Sequence, residues 1–102
     1  MWRLRLHPEA VVEGVNARAR IGDDDFLQGE IFTDTLEASF KMIKLSPMIY
    51  RCFDREFRRV KVGKFSYSVI FRIVGDEIQV IAIMHQHRRP GYWKDRAAQW
   101  AE

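Results

Sequence analysis

The residues best suited to chemistry or to binding lie in one short run, from His85 to Trp93. The run contains two histidines, two consecutive arginines and two aromatic residues, and it follows an apolar segment, so a strand opens into a loop there. Arg88 and Arg89 can hold phosphates or carboxylates through paired hydrogen bonds. Solvated arginines on an ordinary surface are an equally good interpretation of the same pair.

His85 and His87 stand two residues apart, so on a strand both would point the same way and could chelate a metal ion. A metal site needs a third ligand, and none is apparent in this run. A hydrogen-bonded strand end is the preferred interpretation, and we expect neither a metal nor a cofactor. The single cysteine, Cys52, excludes a cysteine zinc site and an internal disulfide, which favours a reducing compartment.

A second basic cluster lies earlier in the chain. It consists of Arg58, Arg59, Lys61 and Lys64. Arg72 follows on the polar register of the next predicted strand, and strand pairing could bring all of these onto one surface with the arginine pair. Together with Tyr67, Tyr92 and Trp93, that surface would resemble a basic nucleic-acid site with interleaved aromatic residues.

Catalysis by proton transfer would need a base, an acid and groups that stabilise developing charge. Tyr92, His85 and the arginines could supply these groups. No Ser/His/Asp arrangement, glycine-rich phosphate loop or paired-carboxylate motif stands out beside them. The residues alone therefore do not define an active site.

Length and charge favour a small folded domain with an anionic partner. The 102 residues, 47% of them hydrophobic, suit one domain over residues 1–102. Residues 1–50 carry 6 Lys and Arg against 8 Asp and Glu, whereas the remainder carries 11 against 6. The basic half suits nucleic acid, an acidic peptide or a nucleic-acid-handling enzyme. The N-terminal segment lacks the apolar run of a signal peptide or membrane span, so we expect a cytoplasmic protein.

The N-terminal half predicts a strand and two helices. Alternation of Trp2, Leu4 and Leu6 with polar residues indicates a short strand, and Pro8 begins the first helix. Gly22 is expected to end that helix, and the three aspartates that follow, 23–25, are expected to cap the second. The predicted buried stripe of the first helix is Val11, Val12, Val15 and Ala19. That of the second is Phe32, Leu36, Phe40 and Ile43, with Ser46-Pro47 at its end.

The C-terminal half predicts a sheet. Residues 58–62 could form a strand, residues 65–73 alternate in polarity, and Gly75-Asp76 provides a turn. The near-continuous apolar run 78–84 indicates a central strand covered on both faces, with the helical hairpin on one side. Tyr92 to Ala101 is expected to form a short helix with Trp93 and Trp100 on one face. The predicted class is α+β, a helical hairpin on a mostly antiparallel sheet in the order β-α-α-β-β-β.

Four segments, in matching order and spacing, resemble the RelE/ParE superfamily of bacterial type II toxin–antitoxin toxins, and its ParE branch of plasmid stabilisation proteins in particular. They are Leu6-His7-Pro8-Glu9-Ala10, Ser46-Pro47, Phe65 to Arg72, and Ile78 to Trp93. The resemblance implies a curved antiparallel sheet under a helical hairpin. It also implies an antitoxin that wraps the toxin in a hetero-oligomer.

For the ParE branch the resemblance implies poisoning of DNA gyrase by binding, without active-site chemistry. The candidate target-binding residues are Arg58, Arg59, Lys61, Lys64, Arg72, His85, Arg88, Arg89, Tyr92 and Trp93. The RelE branch instead cleaves mRNA on the ribosome. The residues that could be matched to that nuclease set are Lys61, Lys64, Arg72, His85, Arg88 and Tyr92. The closing His-Arg-Pro-Gly-Tyr-Trp pattern is more similar to ParE, so gyrase binding is the first hypothesis, the nuclease the second, and a non-toxic binding module the third.

Overall fold

The computed structural model describes residues 2–100. Its elements are β1 (Arg3–Leu6), α1 (Pro8–Asp24), α2 (Phe26–Leu45), a short 3₁₀ helix (Pro47–Ile49), β2 (Cys52–Asp54), β3 (Phe57–Lys61), β4 (Tyr67–Val74), β5 (Glu77–His85) and α3 (Lys94–Gln99). The predicted α+β class is confirmed. The predicted terminal helix is present as α3, and Ala101, at its expected end, lies outside the described residues.

The five strands form one sheet in the order β1-β5-β4-β3-β2. β1 runs parallel to β5, and the other neighbours are antiparallel. β5 therefore has a strand on each side, as its apolar run predicted. β2 was not predicted, because three residues are too few to show alternation and because its turn uses Arg55 at φ 53°, where glycine or asparagine is the usual signal.

The first helix begins as predicted but differs in its end and in its buried face. Pro8 occupies the first turn, and His7 Nδ1 accepts a hydrogen bond from the Glu9 N–H at 3.0 Å. Gly22 does not end α1, which continues to Asp24.

The predicted apolar stripe of α1 is wrong, since its members are exposed: Val11, Val12, Val15 and Ala19. The buried residues are Ala10 and Ala17 instead. A Cβ on Gly14, which lies between them, would meet Leu36 at 3.6 Å and Ile83 at 4.0 Å. Small residues form this face because α1 packs closely against both α2 and β5.

The second helix follows its sequence pattern. Asp25 caps it by accepting hydrogen bonds from the N–H groups of Leu27 and Gln28, and it ends at Leu45, just before Ser46-Pro47. Of the predicted stripe, Phe32 and Ile43 are fully buried, and the other two members, Leu36 and Phe40, pack against the core. None of the helices in the described part of the chain is long and apolar enough to cross a membrane.

The sheet separates two apolar cores. The hairpin core, between the sheet and the α1–α2 hairpin, consists of Ala10, Ala17, Phe32, Ile43, Val62, Tyr67, Val69, Phe71, Ile78, Val80 and Ile83. The rear core, on the opposite face, consists of Phe57, Ile70, Ile81, Ala82, Trp93 and Ala97. A β-bulge adds one residue to the rear core: Ala82 pairs with Ile70 and Val80 with Phe71, which leaves Ile81 as an extra residue that also packs there.

Candidate functional site

Glu13 on α1 holds the C-terminal segment against the body of the protein. Its carboxylate accepts hydrogen bonds from Tyr92 Oη at 2.6 Å and from the Ile83 N–H at 3.0 Å. Both terminal nitrogens of Arg96 donate to it as well, at 2.9 and 3.1 Å. Because the Glu13 and Arg96 side chains are only 14% and 10% exposed, this is a nearly buried, two-pronged ion pair.

The network exists because β1 is shorter than β5. β1 pairs with β5 only as far as Val80, so the outer edge of β5 beyond that residue lacks a neighbouring strand. Glu13 accepts the Ile83 N–H, and Arg96 donates to the Ile81 carbonyl at 3.0 Å. Two side chains thus satisfy backbone groups that a strand would otherwise pair.

The protonation states of Tyr92 and Arg96 favour a structural role for this network over a role in proton transfer. Burial, followed by the hydrogen bond to Glu13, raises the pKa of the Tyr92 hydroxyl well above its ordinary value. Burial alone would lower the pKa of Arg96, but the hydrogen bond and charge of Glu13 raise it. Tyr92 therefore stays protonated at neutral pH, and its proton is already donated to a carboxylate.

The arginine pair lies at the surface beside this network. The Arg88 guanidinium stacks on the Tyr92 ring at 3.8 Å from its centroid, and it lies 4.0 Å from Glu13 Oε2. Arg89 is exposed and has no acidic partner among residues 2–100. Trp93, by contrast, is 1% exposed and packs edge-on against Phe57 in the rear core, so its side chain is not available at the surface.

The basic cluster on β3 is divided between the two faces of the sheet. The Arg58 guanidinium donates to the Tyr50 carbonyl beside the 3₁₀ helix, whereas Arg59 stacks over Phe53. Lys61 Nζ donates to the carbonyls of Gly63 and Phe65 in the next turn.

Arg72 lies on the face covered by α3, where it donates to Gln79 Oε1 at 2.8 Å and to the Ala97 carbonyl at 3.1 Å. Within the basic cluster, Arg59 lies near the arginine pair, because Arg59 and Arg88 line the same hollow.

Another hollow gathers basic residues from distant parts of the chain. It lies between the C-terminal half of α1 and the strand ends, and it is lined by Arg20, Lys64, Tyr67 and His85. The ring centroids of Tyr67 and His85 are 4.9 Å apart. Burial, then the charges of His87 and Arg20, lower the pKa of His85.

Three important residues of these sites were not predicted as such. Glu13 appears in the sequence only as an acidic residue near a helix start, and Arg20 and Arg96 as ordinary surface arginines. Glu13 meets its partners Tyr92 and Arg96 across 79 and 83 residues. No local spacing signals contacts at such separations.

The fold and the surface define a class: a small α+β protein whose basic C-terminal half presents exposed arginines around the nearly buried Glu13–Arg96 ion pair.

Comparison with models of known protein families identifies the family of this chain. Residues 4–90 match the model of the ParE toxin of the type II toxin–antitoxin system, parDE. The chain therefore belongs to this ParE toxin family, which confirms the resemblance found in the sequence. It is a toxin by family, and the family implies an antitoxin partner. A search of curated proteins gives no match.

Proposed function

We propose that this toxin inhibits growth by binding DNA gyrase, without bond chemistry of its own, and that its antitoxin silences it in a cytoplasmic complex. Family membership supplies the toxin role and the antitoxin, and the target is the proposal. The observation that carries it is the state of Tyr92, whose hydroxyl donates to Glu13 at 2.6 Å.

A ribonuclease would need a free proton-transfer group among cations that face the same phosphate. Tyr92 is held by Glu13, and Lys61 Nζ is held by two backbone carbonyls. Arg72 is 13% exposed and lies under α3. Three members of the possible nuclease set thus have internal structural roles, which favours binding over catalysis.

The remaining basic residues suit an anionic target. The exposed candidates among them are Arg59, Lys64, Arg88 and Arg89. Exposed guanidinium and ammonium groups attract a negatively charged protein surface or DNA held by an enzyme, and they accelerate encounter with it. The arginine pair lies in the exposed loop after β5, where a partner can reach it.

The direct test is a supercoiling assay with purified gyrase, relaxed plasmid and ATP, with the toxin added alone and then with its antitoxin. We expect inhibition, or trapped cleaved DNA, that the antitoxin relieves. Relaxation of the supercoiled form of the same plasmid by a type I topoisomerase should be unaffected, which separates gyrase binding from general DNA binding. No effect on gyrase at a large excess of folded toxin would contradict the proposal. Cleavage of ribosome-bound mRNA would then favour the nuclease, and normal growth on expression would favour the non-toxic binding module.

Paired variants locate the contact. Arg88→Gln with Arg89→Gln should raise the half-inhibitory concentration about 10-fold, because exposed cations at an interface contribute to encounter and affinity. Lys41→Gln with Lys44→Gln, at the exposed end of α2, removes the same charge elsewhere and should change it less than about 2-fold. Tyr92→Phe and His85→Ala test the second hypothesis, because toxicity that survives both changes in a folded protein would remove the main support for the nuclease.

A further inference from the structure

The hollow beside His85 has polar groups that the fold does not use. Arg20, Lys64, Tyr67 and His85 line it, and Arg88 lines the space that adjoins it past Arg20. Arg20 and Lys64 are exposed, and neither forms an ion pair or a side-chain hydrogen bond with any other residue in 2–100. Two cations thus flank the opening without a partner.

The two rings at the floor of the hollow present hydrogen-bond donors. His85 Nδ1 accepts the His87 N–H at 3.1 Å, so the proton of the neutral imidazole must lie on Nε2. Tyr67 is largely buried, with 7% of the residue exposed, but its hydroxyl oxygen is not among the buried atoms that lack a partner in residues 2–100. The hydroxyl therefore reaches the surface of the hollow, where it can donate to an acceptor from outside the chain.

Among the polar groups that line the hollow, the cations Arg20 and Lys64 and the two ring donors outnumber one carboxylate, that of Asp24, and Glu13 in the adjoining space is already satisfied. Glu13 already accepts four hydrogen bonds. Asp24 is exposed on the rim, at the corner between α1 and α2. A bound group that complements this arrangement carries negative oxygen atoms.

The surroundings favour a single carboxylate over a nucleic-acid backbone. The exposed corner formed by Asp23, Asp24 and Asp25 would repel a continuous row of phosphates, but it leaves room for one recessed anion. Tyr67 is only 7% exposed and contacts both Phe32 and His85, so its ring is not available as a surface on which a base could stack.

We propose that this hollow receives an acidic side chain of the antitoxin, held by Arg20 and Lys64 and by the donors Tyr67 Oη and His85 Nε2–H. The inference rests on membership of the toxin family, which implies the antitoxin, and is independent of gyrase as the target. Because Lys64 and His85 are also candidate target residues, an antitoxin seated here would cover part of the surface that the target needs.

The test measures the affinity of the toxin for the purified protein encoded beside it, at an ionic strength near 0.15 M, where distant charges are screened within about 8 Å. Arg20→Gln with Lys64→Gln should weaken binding about 10-fold or more. The matched control is Arg51→Gln with Lys41→Gln, which removes the same charge from exposed positions elsewhere and should change affinity less than about 2-fold. Tyr67→Phe, which deletes only the hydroxyl, should weaken binding several-fold.

A spectroscopic readout separates local contact from overall charge. The Nε2–H signal of His85 in a nitrogen-15 spectrum should shift when the antitoxin binds to the wild-type toxin. Equal weakening in both double variants, an unchanged His85 signal, or no binding by the wild-type toxin at micromolar concentration would each overturn the proposal. The proposal would also be overturned if Arg20→Gln with Lys64→Gln weakened binding to duplex DNA but not to the antitoxin, because the hollow would then bind nucleic acid. Supercoiling inhibition is not part of these readouts, so a failed gyrase hypothesis leaves the result interpretable.

Discussion

Glu13 connects the first helix to two parts of the chain that are far from it in sequence, the end of β5 and the C-terminal segment. A nearly buried ion pair of this kind contributes little net stability compared with apolar packing, yet removal of one partner leaves the other charge uncompensated. We therefore expect the Glu13–Arg96 ion pair to act mainly by fixing the position of the loop that carries Arg88 and Arg89.

Replacement of the Glu13 carboxylate tests this anchor. Glu13→Gln should lower the free energy of unfolding by about 3 kcal/mol, because Arg96 would remain nearly buried without its main counter-charge. Glu9, which lies 3.5 Å from Arg96 but is 65% exposed, provides the control, and Glu9→Gln should cost less than about 0.5 kcal/mol. Urea unfolding gives both values. A cost below about 1 kcal/mol for Glu13→Gln would mean that solvent reaches Arg96 well enough to replace the carboxylate.

Two histidines should make the fold acid-sensitive. Burial, then the charge of Arg96, lowers the pKa of His7 from its ordinary value of 6.5, and burial first also lowers that of His85. The unfolded chain therefore binds protons first as the pH falls, so stability is complete above the unfolded pKa and is lost as the pH falls through the lower folded values. The Nδ1 atom of each ring accepts a backbone N–H, which protonation would abolish.

The measurement is the free energy of unfolding between about pH 8 and pH 5. His7→Asn keeps a side-chain acceptor at the start of α1 but cannot titrate, so it should reduce the loss of stability between about pH 7 and pH 5. At about pH 8 the variant should lie within about 0.5 kcal/mol of the wild type. An unchanged acid dependence in the variant would show that His7 contributes none of it.

The candidate site was only partly predictable from its residues. Arg88 and Arg89 were found because unusual residues adjoin a strand end, a feature that a local pattern contains. Glu13, Arg20 and Arg96 were missed because each acts through partners that the fold brings from a distant segment. Trp93 was included with the surface residues, although a large aromatic side chain after a turn can equally close a core.

The α1–α2 hairpin depends on the close approach of two glycines. A Cβ on Gly29 would stand 3.0 Å from the Cα of Gly22 and 3.1 Å from the Arg18 carbonyl oxygen. A Cβ on Gly22 would meet its nearest neighbour, the Cα of Gly29, at 3.9 Å, an ordinary contact. Position 22 therefore has space for a methyl group, whereas position 29 does not, although both lie in helices.

This difference gives a matched pair of variants. Gly29→Ala should destabilise the protein by about 1–2 kcal/mol, since the obstructing atoms are backbone atoms and the helices must move apart. Gly22→Ala should be neutral or should stabilise by up to about 1 kcal/mol, because alanine favours a helix. Thermal unfolding of both variants provides the comparison. Equal stability of the two proteins would mean that the hairpin adjusts its spacing freely.

Most elements were predictable because their patterns are long. The apolar run of β5 and the four-residue spacing along α2 both appear where expected. The buried face of α1 was mistaken because valines are more hydrophobic than glycine and alanine, whereas the packing distance between helices selects small residues. The hydrophobicity of the residues does not reveal the distance between the helices. The strand β2 was not predicted because its three residues are too few to form a pattern.

The molecule has a core on each side of its sheet, and the rear core is the smaller. Its largest side chain, Trp93, should contribute strongly, so Trp93→Ala should lower the free energy of unfolding by about 4 kcal/mol. Trp100, which is only partly buried and stacks with Arg5, is the control and should cost no more than about 2 kcal/mol. Urea unfolding gives both values, and similar costs would contradict a distinct rear core.

The parallel pairing of β1 with β5 joins Arg3–Leu6 to Glu77–Val80. During synthesis β1 leaves the ribosome first, yet at about 5–20 residues per second its partner follows only several seconds later. The sheet cannot be completed until Val80 has emerged, and the arginine loop follows still later in the chain. The surface proposed to recognise the target therefore cannot form until the arginine loop has emerged, well after β1 and the helical hairpin.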